Sequence, residues 1–390
     1  ALAALNLADL PLIVLPQRMF AGMNGSALLA IPFFILAGNI MSRSITGKLI
    51  DICNAIIGHI KGSLSLVTIL ASALFGAISG SGPATTAAVG SMCIPFMVEM
   101  GYEKRWSAGL IAVAGGLGVI IPPSIPFVLY SLATGVSTGD LFLAGVIPGI
   151  LIGLFMMAYA VIFCVTKGED KQRIRAKMSE LRGNGFLKLF ADSFFALLCP
   201  IIVLGGIYSG IVTPTEAACV SVFYALFVSL VVYRSISLKD LIPFLASSVK
   251  TYGGLAFVLA FATAFGRVLS LTRATKVIEE FIVGNFTTSW SVLSVLVILF
   301  LILGMVMDTG PAIVILAPIL LPVALEMGLS AVHFGIIMVV NLAIGFITPP
   351  LGINLFVASG MTKIPMLKLA KACMPYIAAF LISLGMITYI

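Results

Sequence analysis

Charge is scarce in this chain: Asp, Glu, Lys and Arg together make up 9% of the 390 residues, against about 25% in soluble globular domains. Histidine is nearly absent, with His59 and His333 both near loops, so an intramembrane serine protease would lack a serine and histidine paired at depth. No HExxH, GxxxxGK[ST] or CxxC motif occurs, which leaves zincin-type hydrolysis, P-loop nucleotide hydrolysis and dithiol redox chemistry without their residues. The chain is therefore read as no enzyme. Cys53, Cys93, Cys164, Cys199, Cys219 and Cys373 lie mostly within apolar runs and read as small buried hydrophobes, not as disulfides or metal ligands. The net charge of +7 is spread among loops with no aromatic-interleaved patch, which excludes a nucleic-acid partner.

What is abundant is hydrocarbon. Hydrophobic residues reach 61% and mean hydropathy is +1.19. Runs such as LFLAGVIPGILIGLFMMAYAVIFCV (141–165) and AACVSVFYALFVSLVVY (217–233) recur along the chain, and roughly ten elements of about 20 residues fit its length. No series of short alternating strands suggests a barrel, so the expected fold class is an all-α polytopic membrane protein. The opening ALAALNLADLPLIVLPQRMF is neither a full span nor a signal peptide with a basic start, and a further N-terminal helix is expected ahead of it. The stretch 167–188 holds seven Lys/Arg against three acids and belongs in the cytoplasm by the positive-inside rule. Counting crossings from it puts 101–106, 234–243 and 361–371 inside and 273–286 outside. Trp106 and Trp290 fall at segment ends, as interfacial anchors would.

Three short strings occur twice. GPA at 82–84 returns at 310–312, EMG at 99–101 returns at 326–328, and IPP at 121–123 is echoed by TPP at 348–350, with offsets of 228, 227 and 227. Five full crossings, 106–135, 141–166, 189–212, 217–233 and 251–271, lie between the two GPA sites, and an odd number makes the second copy an inverted repeat of the first. Glycine and proline at SGSGP oppose helix by about 1 and 3 kcal/mol each, so each copy is expected to form a re-entrant helical hairpin. The first runs 63–78 and 83–100 around SGSG; its twin runs from Trp290 to Met327 around MDTGP, 307–311. The helix after each hairpin is broken by a double proline, Pro122 with Pro123 and Pro349 with Pro350, which frees carbonyls about one turn earlier, around Gly118, Val119, Gly345 and Phe346.

Half-helix N-termini favour anions and unwound carbonyls favour a small hard cation. Ser79, Ser81, Thr85, Thr86, Ser124, Thr309 and Thr348, with Asn341 and Asn354, complete both kinds of site. Asp308, the one acid at a hairpin tip, must meet a cation or carry a proton. The reading is a cation-coupled carrier of an organic anion. Close helix packing competes for each single hydroxyl, and for glycine pairs such as Gly145 and Gly149. A capping or ion-paired role competes for Asp308, and a passive anion channel for the whole.

GSGPATTAAVGSMCIPFMVEMGY (80–102), VIIPPSIPFVLY (119–130), LLAIPFFILAGNIM (28–41) and HFGIIMVVNLAIGFITPPLGINLFVAS (333–359) resemble the large membrane subunit of tripartite ATP-independent periplasmic (TRAP) transporters over nearly the whole chain. The resemblance implies a bacterial inner-membrane, sodium-driven importer without ATPase machinery, working by an elevator-type motion. Its implied partners are a periplasmic substrate-binding protein and a small four-helix membrane subunit, separate or fused. The division it implies is 1–62 scaffold, 63–140 first transport repeat, 141–289 scaffold, 290–360 inverted second repeat and 361–390 a C-terminal helix. Family sodium sites, two or more, fall on the neighbourhoods of Ser79, Gly82, Gly118 and Pro122, and of Asp308, Thr309, Gly310, Gly345 and Thr348. Substrate contacts are expected from Ser81, Thr85, Thr86, Ser124 and Asn354. Family substrates include C4-dicarboxylates, sialic acids and other organic acids, with proton coupling as the alternative driving force.

Overall fold

A computed structural model describes residues 11–58, 60–167, 186–272, 276 and 288–389. His59, nearly all of the basic stretch 167–188, and the interval 273–286 apart from Lys276 lie outside these residues. The described residues form sixteen helices and no strand. Among the described residues, seven stretches are long and apolar enough to cross a membrane: Ser26–Ser44, Thr138–Thr166, Leu189–Tyr208, Pro214–Val232, Leu238–Leu269, Thr309–Glu326 and Met366–Tyr389. The chain is thus an all-helical, polytopic membrane protein.

The first helices are α1 (Val14–Met23), α2 (Ala30–Ser44) and α3 (Thr46–Ile57). Next come α4 (Ser63–Ser79) and α5 (Gly82–Glu99), separated only by Gly80 and Ser81. Gly80 ends α4 at φ +61°, a left-handed cap that a Cβ would strain. Ser81 then caps α5, accepting from the Ala84 N–H at 3.5 Å, with Pro83 inside the first turn where its missing N–H costs nothing. The crossing expected at 106–135 is broken at the double proline, as the sequence implies, into three pieces. These are α6 (Lys104–Gly115), a 3₁₀ turn (Gly116–Val119) and, past the prolines, α7 (Ile125–Thr134).

Four helices follow before the second broken region: α8 (Thr138–Lys167), α9 (Phe186–Tyr208), α10 (Pro214–Phe227) and α11 (Leu241–Leu271). Thr213 and Glu216 form a reciprocal capping box on α10. The expected helix at 251–271 begins ten residues earlier, at Leu241. Then α12 (Ser289–Val306) gives way at Met307 and Asp308 to α13 (Thr309–Glu326), followed by α14 (Ala331–Gly345), α15 (Ile353–Thr362) and α16 (Met366–Tyr389).

Local geometry of α4–α7 recurs in α12–α15. Met100 and Met327 both sit at φ −80°, ψ 5°, each followed by a glycine of positive φ, Gly101 and Gly328. The peptide bonds Pro122–Pro123 and Pro349–Pro350 are both cis. Ser131 donates to the Val136 carbonyl at 2.6 Å, and Ser359 donates to the Ile364 carbonyl at 2.7 Å. The two sets also interlock: α5 packs on α15, and α13 packs on α7.

Trp106 corrects an expectation. It is 4% exposed, sandwiched between Phe163, stacked at 4.5 Å, and Tyr102 at 5.6 Å, so it is a core residue and not an interfacial anchor. Trp290 is exposed and stacks on Tyr389 at 4.7 Å. None of the six cysteines forms a disulfide; Cys219 is half-buried and the others are buried. Gly145 and Gly149 on α8 face Phe127 and Ile121 of the broken helix, so that pair serves close packing.

Candidate functional site

A cavity of about 460 Å³ brings both helix breaks together. One side is Ser79–Ala84 of the first break and Asp308–Pro311 of the second; Val119 and Phe346, beside the two double prolines, also reach it. The remaining lining comes from α2, α7 and α11. The first residues of four helices, Gly82 of α5, Ile125 of α7, Thr309 of α13 and Ile353 of α15, all line this space. Each helix start carries roughly +0.5 of an elementary charge. Asp308 is the only charged side chain on the wall. Positive potential on this wall therefore comes from backbone and from no basic side chain, with the Asp308 carboxylate opposing it at the start of α13.

At the first break three oxygens crowd together. Thr85 Oγ1 donates to the Ser81 carbonyl at 2.8 Å and lies 3.1 Å from Ser79 Oγ, which is itself 3.5 Å from the Ser81 carbonyl. Gly118 lies directly against them: a Cβ there would collide with Thr85 Oγ1 and sit 3.0 Å from the Ser81 carbonyl. A backbone bond from the Ile125 N–H to the Gly80 carbonyl, 3.2 Å, ties this break to the start of α7. A comparable bond at the second break runs from the Leu351 N–H to the Met305 carbonyl, 3.0 Å. There Asp308 caps α13, its Oδ1 accepting from the Thr309 N–H at 2.7 Å. Asp308 is otherwise exposed to the cavity, with no basic partner among the described residues.

Of the residues singled out from sequence, Ser79, Ser81, Gly82, Asp308, Thr309 and Gly310 line the cavity. Thr85 and Gly118 stand just behind the first break. Ser124 does not reach the space: its hydroxyl donates to the Val119 carbonyl at 2.5 Å and accepts from the Phe127 N–H at 3.5 Å, capping α7. Thr348 is turned back onto its own helix, bonding the Ile344 carbonyl at 2.7 Å. Pro122 and Gly345 are likewise off the wall. The carbonyls expected to stand free are mostly engaged: Val119 by Ser124, Gly345 by the Thr348 N–H at 3.2 Å, and Phe346 by the Asn354 N–H at 3.0 Å. Each keeps a second lone pair.

Thr86 and Asn354 meet in the buried interior around Gly115. Asn354 Nδ2 donates to the Ala112 carbonyl at 3.0 Å, while its Oδ1 and Thr86 Oγ1 have no protein partner, and neither do the amide atoms of Asn341, which is buried elsewhere on α14. Sequence reading missed the wall supplied by α2 and α11, notably Asn39 and Thr251. Asn39 had a visible signal, being the only amide in the run LLAIPFFILAGNIM. Thr251 had none.

The family described as "Tripartite ATP-independent periplasmic transporter, DctM component" matches residues 1–390. This chain belongs to that family. Among TRAP relatives, it is 41% identical over 98% of its length to the isethionate TRAP transporter permease protein DctMQ of Oleidesulfovibrio alaskensis, of which it spans 60%. It is 42% identical over 96% of its length to the C4-dicarboxylate TRAP transporter large permease protein DctM of Pseudomonas aeruginosa, covering 86% of it. It is 34% identical over 95% of its length to the sialic acid TRAP transporter large permease protein SiaM of Vibrio cholerae, again covering 86%. Among solved structures, the Alcanivorax borkumensis YdaH transporter superimposes with a TM-score of 0.62 over 95% of this chain and 86% of that one, at 13% identity. That likeness concerns fold alone. As a DctM-component protein the chain is a transporter permease, not an enzyme, and a multi-pass protein of the bacterial inner membrane.

Proposed function

We propose that this DctM-family chain imports an organic acid anion across the inner membrane by sodium-coupled secondary transport, in an elevator-type motion. The observation that carries the reading is the convergence of four helix N-termini on one cavity whose wall has a single acid and no base. Backbone dipoles of this kind stabilise an anion without a fixed counter-charge that would resist its release.

Inverted repeats are supported by the matching caps and bonds of α4–α7 and α12–α15. Five crossings separate the two breaks: the α6–α7 pair, α8, α9, α10 and α11. The mutual packing of α5 with α15 and of α13 with α7 supports a transport unit made of both repeats. Re-entrance of the two hairpins and cytoplasmic placement of 167–188 belong to the same reading.

The donor set suits a hard monovalent cation, because it consists of hydroxyl, carbonyl and carboxylate oxygens. Ser79, Ser81 and Thr85 would hold one ion beside Gly118, and Asp308 with Thr309 a second. The ion supplies positive charge next to the dipoles. Substrates borne by the relatives, isethionate, C4-dicarboxylates and sialic acid, define the class of small organic anions. The partners are a periplasmic binding protein that delivers the substrate and a small membrane subunit, which the name DctMQ suggests is fused in one relative.

Proton coupling is the second reading, favoured by Asp308, which faces the cavity with no basic partner among the described residues. Uptake into proteoliposomes containing the complete transporter, driven either by a sodium gradient or by a proton gradient, separates the two. Sodium-driven accumulation that Asp308→Asn impairs without loss of inserted protein is the expected result. Accumulation under a proton gradient alone would remove sodium from the proposal, and equilibration without accumulation would make the protein a channel.

A further inference from the structure

The helix breaks make one part of the cavity wall and α2 and α11 another, and the chemistry of this second wall decides what the end of a bound solute lying against it can be. Asn39 on α2 lines that wall, and its Nδ2 donates to Ser248 Oγ on α11 at 2.8 Å. Ser248 Oγ in turn donates to the Phe244 carbonyl at 2.8 Å. A hydroxyl has one hydrogen. With that hydrogen committed to Phe244, Ser248 can only accept, so Asn39 is forced to turn its NH₂ toward α11. One N–H and the carbonyl of the Asn39 amide are left for a solute.

Thr251 is the only other polar side chain on this wall, and its hydroxyl donates to the Ser247 carbonyl at 3.0 Å, leaving only lone pairs. Ile35, Leu255 and Val258 make the rest apolar. Lys250 precedes Thr251 but points about 100° around the helix and does not line the cavity. A carboxylate placed here would exchange its hydration for one N–H beside repelling lone pairs, a poor trade for a charge. A neutral hydroxyl or carbonyl, by contrast, finds both a donor and an acceptor.

The geometry points to Asn39, braced by Ser248, as a specificity-determining residue that selects monoanions with a neutral hydroxyl or carbonyl at the far end over dianions of equal length. This rests on the reading of the cavity as an organic-anion site, with the charged end of the solute at the helix N-termini.

Three four-carbon acids differing only at that end test it: 4-hydroxybutyrate, butyrate and succinate. Binding is titrated directly to the purified permease in sodium chloride, so that the periplasmic protein exerts no selection. Tightest binding is expected for 4-hydroxybutyrate, about fivefold over butyrate, with succinate weakest. Asn39→Leu should bring 4-hydroxybutyrate down to the butyrate level, and Ser248→Ala should erode the preference in part. Thr251→Lys, at an exposed position that does not depend on Asn39 for folding, should raise succinate affinity at least about fivefold by supplying the missing cation. Succinate binding as tightly as 4-hydroxybutyrate, an unchanged preference in a folded Asn39→Leu protein, or no gain for succinate with Thr251→Lys would each overturn the assignment while leaving an anion site in place. Failure of all three acids to bind the unaltered protein would instead overturn the organic-anion reading, and this inference with it.

Discussion

The sharpest stability test is Gly76→Ala, because the close approach it probes is between two backbones. Gly76 lies inside α4, and a Cβ there would sit 2.6 Å from Gly118 Cα and 3.1 Å from Gly118 N. Neither atom can rotate away, so α4 and the 3₁₀ turn must separate by roughly 0.8 Å to reach ordinary contact near 3.4 Å. Overpacking of this kind costs about 1–3 kcal/mol, and a rigid partner argues for the upper end. Against it stands the gain of about 1 kcal/mol for replacing a mid-helix glycine by alanine. Gly266→Ala in α11 isolates the two effects, since nothing lies within 4 Å of a Cβ there and only the gain applies. The two variants should therefore differ by about 3 kcal/mol, with Gly76→Ala melting below and Gly266→Ala at or above the unaltered protein. Thermal unfolding of the purified protein in one detergent reads the difference. Equal melting temperatures would refute the close approach of α4 to the broken helix.

Changing Thr85 to Val should lower sodium-driven uptake more than Gly205→Ala does, because a Cβ at Gly205 meets nothing within 4 Å; equal effects in the uptake assay would assign the Thr85 hydroxyl to packing. Thr86→Val removes a buried hydroxyl that has no protein partner, so melting temperature should be unchanged or higher by an amount worth about 1 kcal/mol; a clear loss of stability would show that a water or ion completes that hydroxyl. A cysteine introduced at Arg175 should react with an impermeant thiol reagent only from the cytoplasmic side, and labelling from the periplasm would reverse the orientation.

Much of the architecture is legible because glycine and proline act locally. Both double prolines and the SGSGP and MDTGP breaks fall where the sequence puts them, and helix bounds at Ser79 and Gly82 lie within a residue or two of those read from the string. The site was only half visible for the opposite reason. Ser124 and Thr348 spend their hydroxyls on nearby carbonyls, an outcome fixed by helix geometry that residue type does not disclose. Asn39 and Thr251 reach the cavity through the packing of α2 and α11 against the breaks, far apart in sequence. Trp106 was misread because a segment end in the chain is not an edge of the folded protein: Phe163 and Tyr102 close over it.

The clasp between Asn354 Nδ2 and the Ala112 carbonyl joins residues 242 positions apart, and it has a bearing on biosynthesis. The early half of the molecule cannot seal its own interior while it is being made; α6, which carries Ala112, must wait for α15. During that interval small and polar surfaces stand open in the lipid, and late, sequence-distant docking of this kind is slow and vulnerable to misassembly. A chain stopped short of Ile353 would leave those surfaces unsealed, whatever the quality of the helices already inserted.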